Sequence, residues 1–169
     1  MVFPVAATLA LWGLGRALLA PRAALFAALV YALVSADPRA HGCFHNAETL
    51  MAPFAILSVW AWWKSVRGDG RAASVRAGAW LGVAALVKHS VVPQALILAA
   101  VPSRRAAARL VPPFLAGFAA VVAIAAAALT AAGAAPALAE AVRESARYMD
   151  VEFRARLPFY AASFARLAK

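Results

Sequence analysis

Charged side chains are scarce in this chain of 169 residues, where Asp, Glu, Lys and Arg together make up 14% and hydrophobic residues 65%. Soluble domains usually carry about a quarter charged and about half apolar residues. The mean hydropathy of +0.77 points the same way. So few polar side chains cannot cover the surface of a soluble domain, and the scarcity predicts a protein that is embedded in lipid.

Cysteine and acidic residues are also in short supply. Cys43 is the only cysteine, which excludes an intrachain disulfide and a zinc module built on cysteines. Seven acidic residues stand against 17 Lys and Arg, for a formal net charge of +10. The basic residues fall in short gaps between apolar runs, which is typical of membrane topology determinants. We therefore expect no nucleic-acid partner.

The N-terminal segment lacks the basic start of a signal peptide, and no small-residue cleavage site leads into a polar domain. We interpret it as a membrane span. The sequence begins and ends abruptly in apolar residues. We therefore expect the chain to be a piece of a larger membrane protein.

Apolar runs follow one another along the whole chain. They cover residues 2–20, 22–35, 47–63, 74–87, 90–102 and 110–133, with a partial run from residue 158. A helix needs about 20 residues to cross the hydrocarbon core, and the first, third and sixth runs meet that length. An alternative merges residues 77–101 into one span with Lys88 and His89 in its middle. The predicted fold class is all-α, a polytopic transmembrane bundle of about six full or partial spans.

The basic residues favour two separate passes over the merged span. They cluster around residues 16–22, 64–76 and 103–109. If the fourth and fifth runs are separate, all three clusters face one side, which the positive-inside rule makes cytoplasmic. We therefore predict a multi-pass protein of the inner (plasma) membrane. The loop HGCFHNAE, the pair Lys88-His89 and the chain after about residue 134 then face outward.

Three segments follow from this topology. Residues 1–133 form the transmembrane bundle, and residues 158–169 begin a further, truncated span. Residues 134–157 form an outer-face segment with a short amphipathic helix, because apolar positions there recur at helical spacing opposite charged ones. Packing of the same apolar stripe against the spans is the alternative.

Glu48 stands in the first turn of the third predicted helix, after Asn46. A structural explanation suffices for both residues, since Asn46 can cap the helix and Glu48 complements its dipole. The functional alternative places an acid at the lipid–water boundary, where it binds a metal, a sugar hydroxyl or an acceptor group. In the same loop, His41 and His45 flank Cys43 and could complete a divalent metal site with Glu48, although the spacing matches no strong zinc pattern.

Lys88 and His89 lie between two short apolar runs. A lysine at a helix end can simply extend its ammonium group to the membrane surface. The alternative is a lysine on the outer face that binds the phosphate of a polyprenyl-phosphate headgroup.

The order of three segments resembles that of the GT-C polytopic glycosyltransferases. The segments are LGRALLAPRAALFAALVYAL, NAETLMAPFAILSVWAWW and AGAWLGVAALVKHSVVPQALILA. The chain is similar in particular to the Rgt-like and protein-mannosyltransferase-like members, which include the lipid A aminoarabinose transferases. The nearest matches are the segment from Gly82 to Lys88, which closes a short helix, and Glu48, which occupies the place of an acid before it. The resemblance runs from about the family's second span to the start of its eighth.

The resemblance implies inverting transfer of a sugar from a polyprenyl-phosphate donor, on the outer face, to a lipid, glycan or protein acceptor. From the placement of the residues in this sequence, we expect Glu48 to be the catalytic residue of the part that is present and Lys88, His89, His45 and Asn46 to bind substrate, with no certain cofactor. The family's catalytic acid lies in a first outer loop that precedes residue 1, so we expect this chain alone to be inactive. A permease fragment and a non-catalytic assembly protein are the alternatives. In the latter, Ala116-Gly117 with Ala120 would form a helix-packing seam.

Overall fold

The computed structural model describes residues 2–36, 47–100, 102–141, 143–144 and 147. Across those residues the chain is helical, with turns and no strand. It divides into two compact units, Met1–Ile124 and Ala125–Lys169. The predicted fold class is confirmed: the protein is an all-α membrane helix bundle.

Each described helix that lies wholly or partly in the first unit falls on one of the predicted apolar runs. The helices are α1 (Val2–Leu18), α2 (Pro21–Ala36), α3 (Ala47–Lys64), α4 (Gly70–Val87), α5 (Pro93–Ala100) and α6 (Arg104–Ala131). A π-helical turn, Ser65–Asp69, joins α3 to α4, and a 3-10 turn, His89–Val91, precedes α5. Both α4 and α6 begin several residues before their apolar runs. Their first turns contain arginines, which the apolar runs leave out.

Among the described helices, α6 alone is long and apolar enough to cross a membrane. Its 28 residues correspond to about 42 Å at 1.5 Å per residue. The expectation that the first and third runs are also long enough to cross the membrane is not met by the helices that form there. Helix α1 has 17 residues, or about 26 Å, which is short of the ~30 Å hydrocarbon core. Helix α3 has 18 residues but carries a charge in its first and last turns.

Contacts between helices define their directions. Helices α1 and α3 run parallel, because Phe3 packs edge-on against Phe54 at 6.3 Å and Gly13 lies under the indole of Trp60. Helices α4 and α6 also run parallel. The Ser74 hydroxyl donates a hydrogen bond of 2.5 Å to the Leu110 carbonyl, and Gly82 lies against Val121 further along both helices.

These directions place the three basic clusters together. The end of α1, the start of α2, the α3–α4 turn and the start of α6 all lie at one end of the first unit, which we call the basic end. Its basic side chains are Arg16, Arg22, Lys64, Arg67, Arg71, Arg76, Arg104, Arg105 and Arg109. The merged span over residues 77–101 is wrong, because α4 stops at Val87 and the backbone of Lys88 is extended (φ −152°, ψ 115°). That the basic end is cytoplasmic stays a prediction.

Glycine brings α4 and α6 into close contact. A Cβ atom at Gly78 would overlap the carbonyl oxygen of Phe114, and one at Gly117 would overlap that of Val75. Small residues at four-residue spacing are the usual means of bringing two membrane helices close together. Of the predicted seam residues, only Gly117 lies in this contact, whereas Ala116 and Ala120 are exposed.

A buried cluster lies beside this crossing. Trp62 meets Phe114 edge-on at 5.2 Å between ring centroids, and both side chains are almost fully buried. Leu81 of α4 is completely buried in the same cluster. Helices α3, α4 and α6 therefore share one apolar core.

In the second unit, residues 135–141 are helical and Leu138 is exposed. Glu144 and Arg147 form an exposed pair at 4.0 Å. The amphipathic helix proposed for residues 134–157 therefore has a helical start, and its remainder lies largely outside the described residues, as does the span expected from residue 158. The proposed segment boundaries stay predictions.

Candidate functional site

The α3–α4 hairpin brings Glu48 and Lys88 to one level. The chain reverses through Gly68 (φ 135°) and Gly70 (φ 65°), in backbone conformations that glycine adopts readily and other residues rarely adopt. The two helices on either side of the turn have 18 residues each. Equal lengths put the first turn of α3 beside the last turn of α4, about 27 Å from the basic end.

Glu48 lies in the first turn of α3, where a negative charge complements the helix dipole. Its proposed capping partner, Asn46, lies outside the described residues. Within the described residues, Glu48 is thus the charged side chain at the start of α3.

Lys88 ends α4 as its C-terminal capping residue. Its backbone N–H donates to the carbonyl of Ala84 at 2.9 Å, and its backbone then turns to an extended conformation. The Lys88 Nζ donates a hydrogen bond to Glu48 Oε1 and forms a salt bridge with it. The two side chains remain 35% and 56% exposed. A ligand can therefore reach both partners, and an exposed pair of this kind contributes little to stability.

Helix α5 is attached to the same end of the hairpin. His89 opens the 3-10 turn directly after Lys88, and Val91 within that turn is buried. The Gln94 side chain then donates a hydrogen bond of 3.1 Å from Nε2 to the backbone carbonyl of Ala55 in α3. This bond holds the α4–α5 connection, and with it Lys88 and His89, against the helix that carries Glu48.

Aromatic side chains lie below the ion pair, toward the middle of the bundle. Phe54 stacks on Trp80 with 5.9 Å between centroids and an interplanar angle of 22°. Both are on the hairpin helices that carry the ion pair, about two turns from it. The site thus combines an ion pair at the end of the hairpin with stacked aromatic side chains nearer the middle of the bundle. This combination suits a ligand with an anionic group attached to an apolar chain.

The structure brings together part of the predicted site. Glu48 and Lys88 are in contact, as we expected from the topology, and His89 adjoins Lys88. His45 and Asn46 lie outside the described residues, and so do His41 and Cys43. Among the residues that the structure describes, no group of three His, Cys, Asp or Glu side chains could hold a metal ion. The divalent metal and the roles assigned to all of these residues stay predictions.

Sequence reasoning missed Gln94, Phe54 and Trp80. A single glutamine in an apolar run was a usable indication, since a polar side chain at membrane depth needs a hydrogen-bond partner. The two aromatic residues gave no comparable indication, because aromatic side chains occur throughout these helices.

We expect Gln94→Met to lower the free energy of unfolding by about 1 kcal/mol, because it removes one partly buried hydrogen bond at similar volume. Thermal unfolding in detergent, followed by far-UV circular dichroism, measures this loss. Leu96→Met is the matched control, since Leu96 is 75% exposed on the same helix. Equal effects of the two substitutions would show that the Gln94–Ala55 bond does not hold α5.

An all-α membrane bundle with an acid–lysine pair at the end away from its basic residues defines a class of protein, the polytopic membrane proteins with a polar site at one face. The chain belongs to the dolichyl-phosphate-mannose-protein mannosyltransferase family, whose model matches residues 1–131. That match includes the helices α1 to α6 and both members of the ion pair. Neither a curated protein nor a solved structure matches the chain.

Family membership confirms the resemblance to the GT-C glycosyltransferases. It identifies the protein as a member of a membrane glycosyltransferase family. It also favours sugar transfer over the two alternatives, a permease fragment and an assembly protein.

Proposed function

We propose that the protein takes part in transferring a sugar from a polyprenyl-phosphate donor to a lipid, glycan or protein acceptor, with inversion, on the periplasmic face of the inner membrane. The observation that carries the proposal is the Glu48–Lys88 ion pair at the end of the hairpin opposite the basic end. By the positive-inside rule that end faces outward. A polyprenyl chain buried in the bilayer presents its phosphate at this level.

In the proposed reaction, the acceptor oxygen forms a bond to the anomeric carbon of the sugar. The bond from that carbon to the phosphate oxygen breaks, and the phosphate leaves with the bonding electrons. Negative charge therefore develops on the phosphate, where a cation stabilises the transition state. We assign this role to Lys88, with His89 as a second donor to the phosphate.

Glu48 receives a complementary role. A carboxylate accepts a hydrogen bond from the acceptor hydroxyl and so orients its oxygen toward the sugar. The hydroxyl proton passes to a carboxylate, for which the resemblance implies the acid of the family's first outer loop. In the absence of ligand Glu48 neutralises Lys88, and the donor phosphate takes its place on the lysine.

We expect Lys88→Gln to weaken binding of a polyprenyl monophosphate by about 10- to 100-fold, which is the usual range for losing a hydrogen bond to a charged group. Binding is measured on the chain in bilayers with excess anionic phospholipid, which occupies other cationic surfaces. Lys64→Gln, at the opposite end of the same hairpin, is the matched control and should leave the affinity unchanged.

Glu48→Gln distinguishes this proposal from a structural role of the ion pair. Removing a carboxylate that competes for Lys88 should leave binding of the polyprenyl monophosphate equal or tighter. Weaker binding in Glu48→Gln, to the same extent as in Lys88→Gln, would contradict the proposal, because the pair would then act only by holding the hairpin.

A further inference from the structure

The basic end carries cations that no described carboxylate neutralises. Nine basic side chains lie there, and Asp69 is the only acidic residue within the same segments. Among the described residues, the ion pairs are Lys88–Glu48 and Arg147–Glu144, and neither involves the basic end. At the opposite end of the α3–α4 hairpin, Lys88 is paired with Glu48. The first unit is thus strongly asymmetric in charge along its helices.

Three of these cations lie against the rings of tryptophan side chains. Arg16 lies 5.5 Å from the ring centroid of Trp12, Lys64 lies 4.9 Å from that of Trp60, and Arg67 lies 4.8 Å from that of Trp63. In each pair the cation follows its tryptophan by four residues, so each indole lies one turn closer to the middle of its helix. Contact with the ring holds each cation through cation–π attraction.

The pairs occur on two neighbouring helices. The indole of Trp60 covers Gly13 of α1, which lies one turn before Arg16. Lys64 also contacts the ring of the same tryptophan. The cations at the ends of α1 and α3 are therefore neighbours on one surface, at the level of their shared tryptophan.

This arrangement has the chemistry of a headgroup-binding surface. Tryptophan favours the boundary between hydrocarbon and headgroups, and cations just beyond it meet the phosphates of the lipids. Each Lys or Arg near an anionic leaflet strengthens such binding by about fivefold. The Glu48–Lys88 site lies about 27 Å away, well beyond the ~10 Å Debye length at 0.1 M salt. The two ends therefore act independently.

We propose that the basic end binds anionic phospholipids, with Arg16, Lys64 and Arg67 contacting headgroup phosphates while Trp12, Trp60 and Trp63 lie at the hydrocarbon boundary. The inference concerns a surface remote from the Glu48–Lys88 site and does not depend on sugar transfer. Its ligand is the phosphate of a bilayer lipid, such as phosphatidylglycerol, instead of a soluble polyanion.

The chain supplies its own reporters for a test. Three of the five tryptophans contact cations of the basic end, so lipids with brominated acyl chains quench their fluorescence when they bind there. We expect brominated phosphatidylglycerol to compete against phosphatidylcholine with a relative binding constant of about 5 or more. The preference should decline in 1 M NaCl, where the Debye length is only ~3 Å. Equal quenching by the two lipids would overturn the proposal.

Variants localise the effect. The triple variant Arg16→Gln, Lys64→Gln, Arg67→Gln should lower the relative binding constant several-fold. The charge-retaining variant Arg16→Lys, Arg67→Lys should keep most of the preference, with circular dichroism confirming helical content in each case. Arg143→Gln, which removes one exposed cation of the second unit, should leave the relative binding constant unchanged.

Other outcomes would overturn the proposal. An undiminished preference in the triple variant, or an equal loss in Arg143→Gln and Lys64→Gln, would show that net charge and not this surface governs lipid selectivity. Tighter binding of a single-stranded oligonucleotide than of phosphatidylglycerol vesicles to the reconstituted chain would assign the cations to nucleic acid instead.

Discussion

Gly117→Leu is expected to lower the free energy of unfolding by about 3 kcal/mol or more, the upper range for overpacking a close contact. A Cβ atom at this position would overlap the carbonyl oxygen of Val75 and approach the backbone nitrogen of Ala79 at 3.1 Å. Backbone atoms within a helix cannot move aside as a flexible side chain can. Helices α4 and α6 must separate, and the Ser74–Leu110 hydrogen bond and the Trp62–Phe114 contact are lost with the crossing.

The matched control is the neighbouring substitution Ala116→Leu. Ala116 is exposed on α6, so the same side chain placed there should change the free energy of unfolding by no more than about 0.5 kcal/mol. Thermal unfolding in detergent compares the two variants directly. Equal stability of the two would show that α4 and α6 do not cross at Gly117.

Gly117→Ala makes the test more sensitive. In an exposed helix, exchange of glycine for alanine stabilises by up to about 1 kcal/mol. A loss of stability in Gly117→Ala would therefore show that the close contact outweighs the helical preference. A gain would place the two helices further apart than the structure has them.

This crossing illustrates why part of the fold was not predictable. Alanine is so frequent in α6 that the sequence alone does not show which small residues form the contact, and residues 116, 117 and 120 together looked suitable. The rotation of each helix decides which of them meets a neighbour, and rotation depends on contacts such as Trp62 with Phe114 that are distant in sequence. The existence of the helices was predictable, because apolar runs of this length have few other ways to satisfy their backbone groups in lipid.

The starts of α4 and α6 were also missed. Hydropathy places them at residues 74 and 110, whereas the helices begin at Gly70 and Arg104. Arginine is a good helix former, so the helix extends through basic residues at the membrane surface. Pro112 and Pro113 lie within α6 and remove the helical donors to the carbonyl groups of Ala108 and Arg109, which are both exposed residues.

The candidate site was predictable to the extent that topology determines it. Glu48 begins one apolar run and Lys88 ends another, and the arrangement of basic residues puts both on one side of the membrane. Their direct contact follows from two helices of equal length around a glycine turn. The Gln94–Ala55 bond did not follow, because it depends on the rotation of α5 about its own axis.

Reversing the ion pair separates its structural role from its proposed chemical role. Lys88→Glu alone places two carboxylates together, and Glu48→Lys alone places two cations together. The double variant restores an attractive pair of opposite polarity. If the pair acts only by joining α3 to α4, the double variant should bind a polyprenyl monophosphate as well as the unmodified chain does.

We expect a different outcome. The double variant should recover most of the thermal midpoint that each single reversal lowers, since the repulsion between like charges is removed, while the reversed charges no longer complement the two helix dipoles. It should still bind a polyprenyl monophosphate about 100-fold more weakly than the unmodified chain, because a carboxylate then ends α4 where the phosphate requires a cation. The lysine at position 48 cannot replace it fully, since it stands on α3 and not beside His89.

The control for this experiment is the exchange of Glu144 and Arg147, an exposed pair at 4.0 Å in the second unit. The double substitution Glu144→Arg, Arg147→Glu should affect neither the thermal midpoint nor polyprenyl monophosphate binding, because exposed pairs at this spacing contribute little. Recovery of full binding in the reversed Glu48–Lys88 variant would contradict the phosphate-binding role of Lys88. Lost binding together with a largely restored midpoint would support that role, since a purely structural pair would recover binding as well.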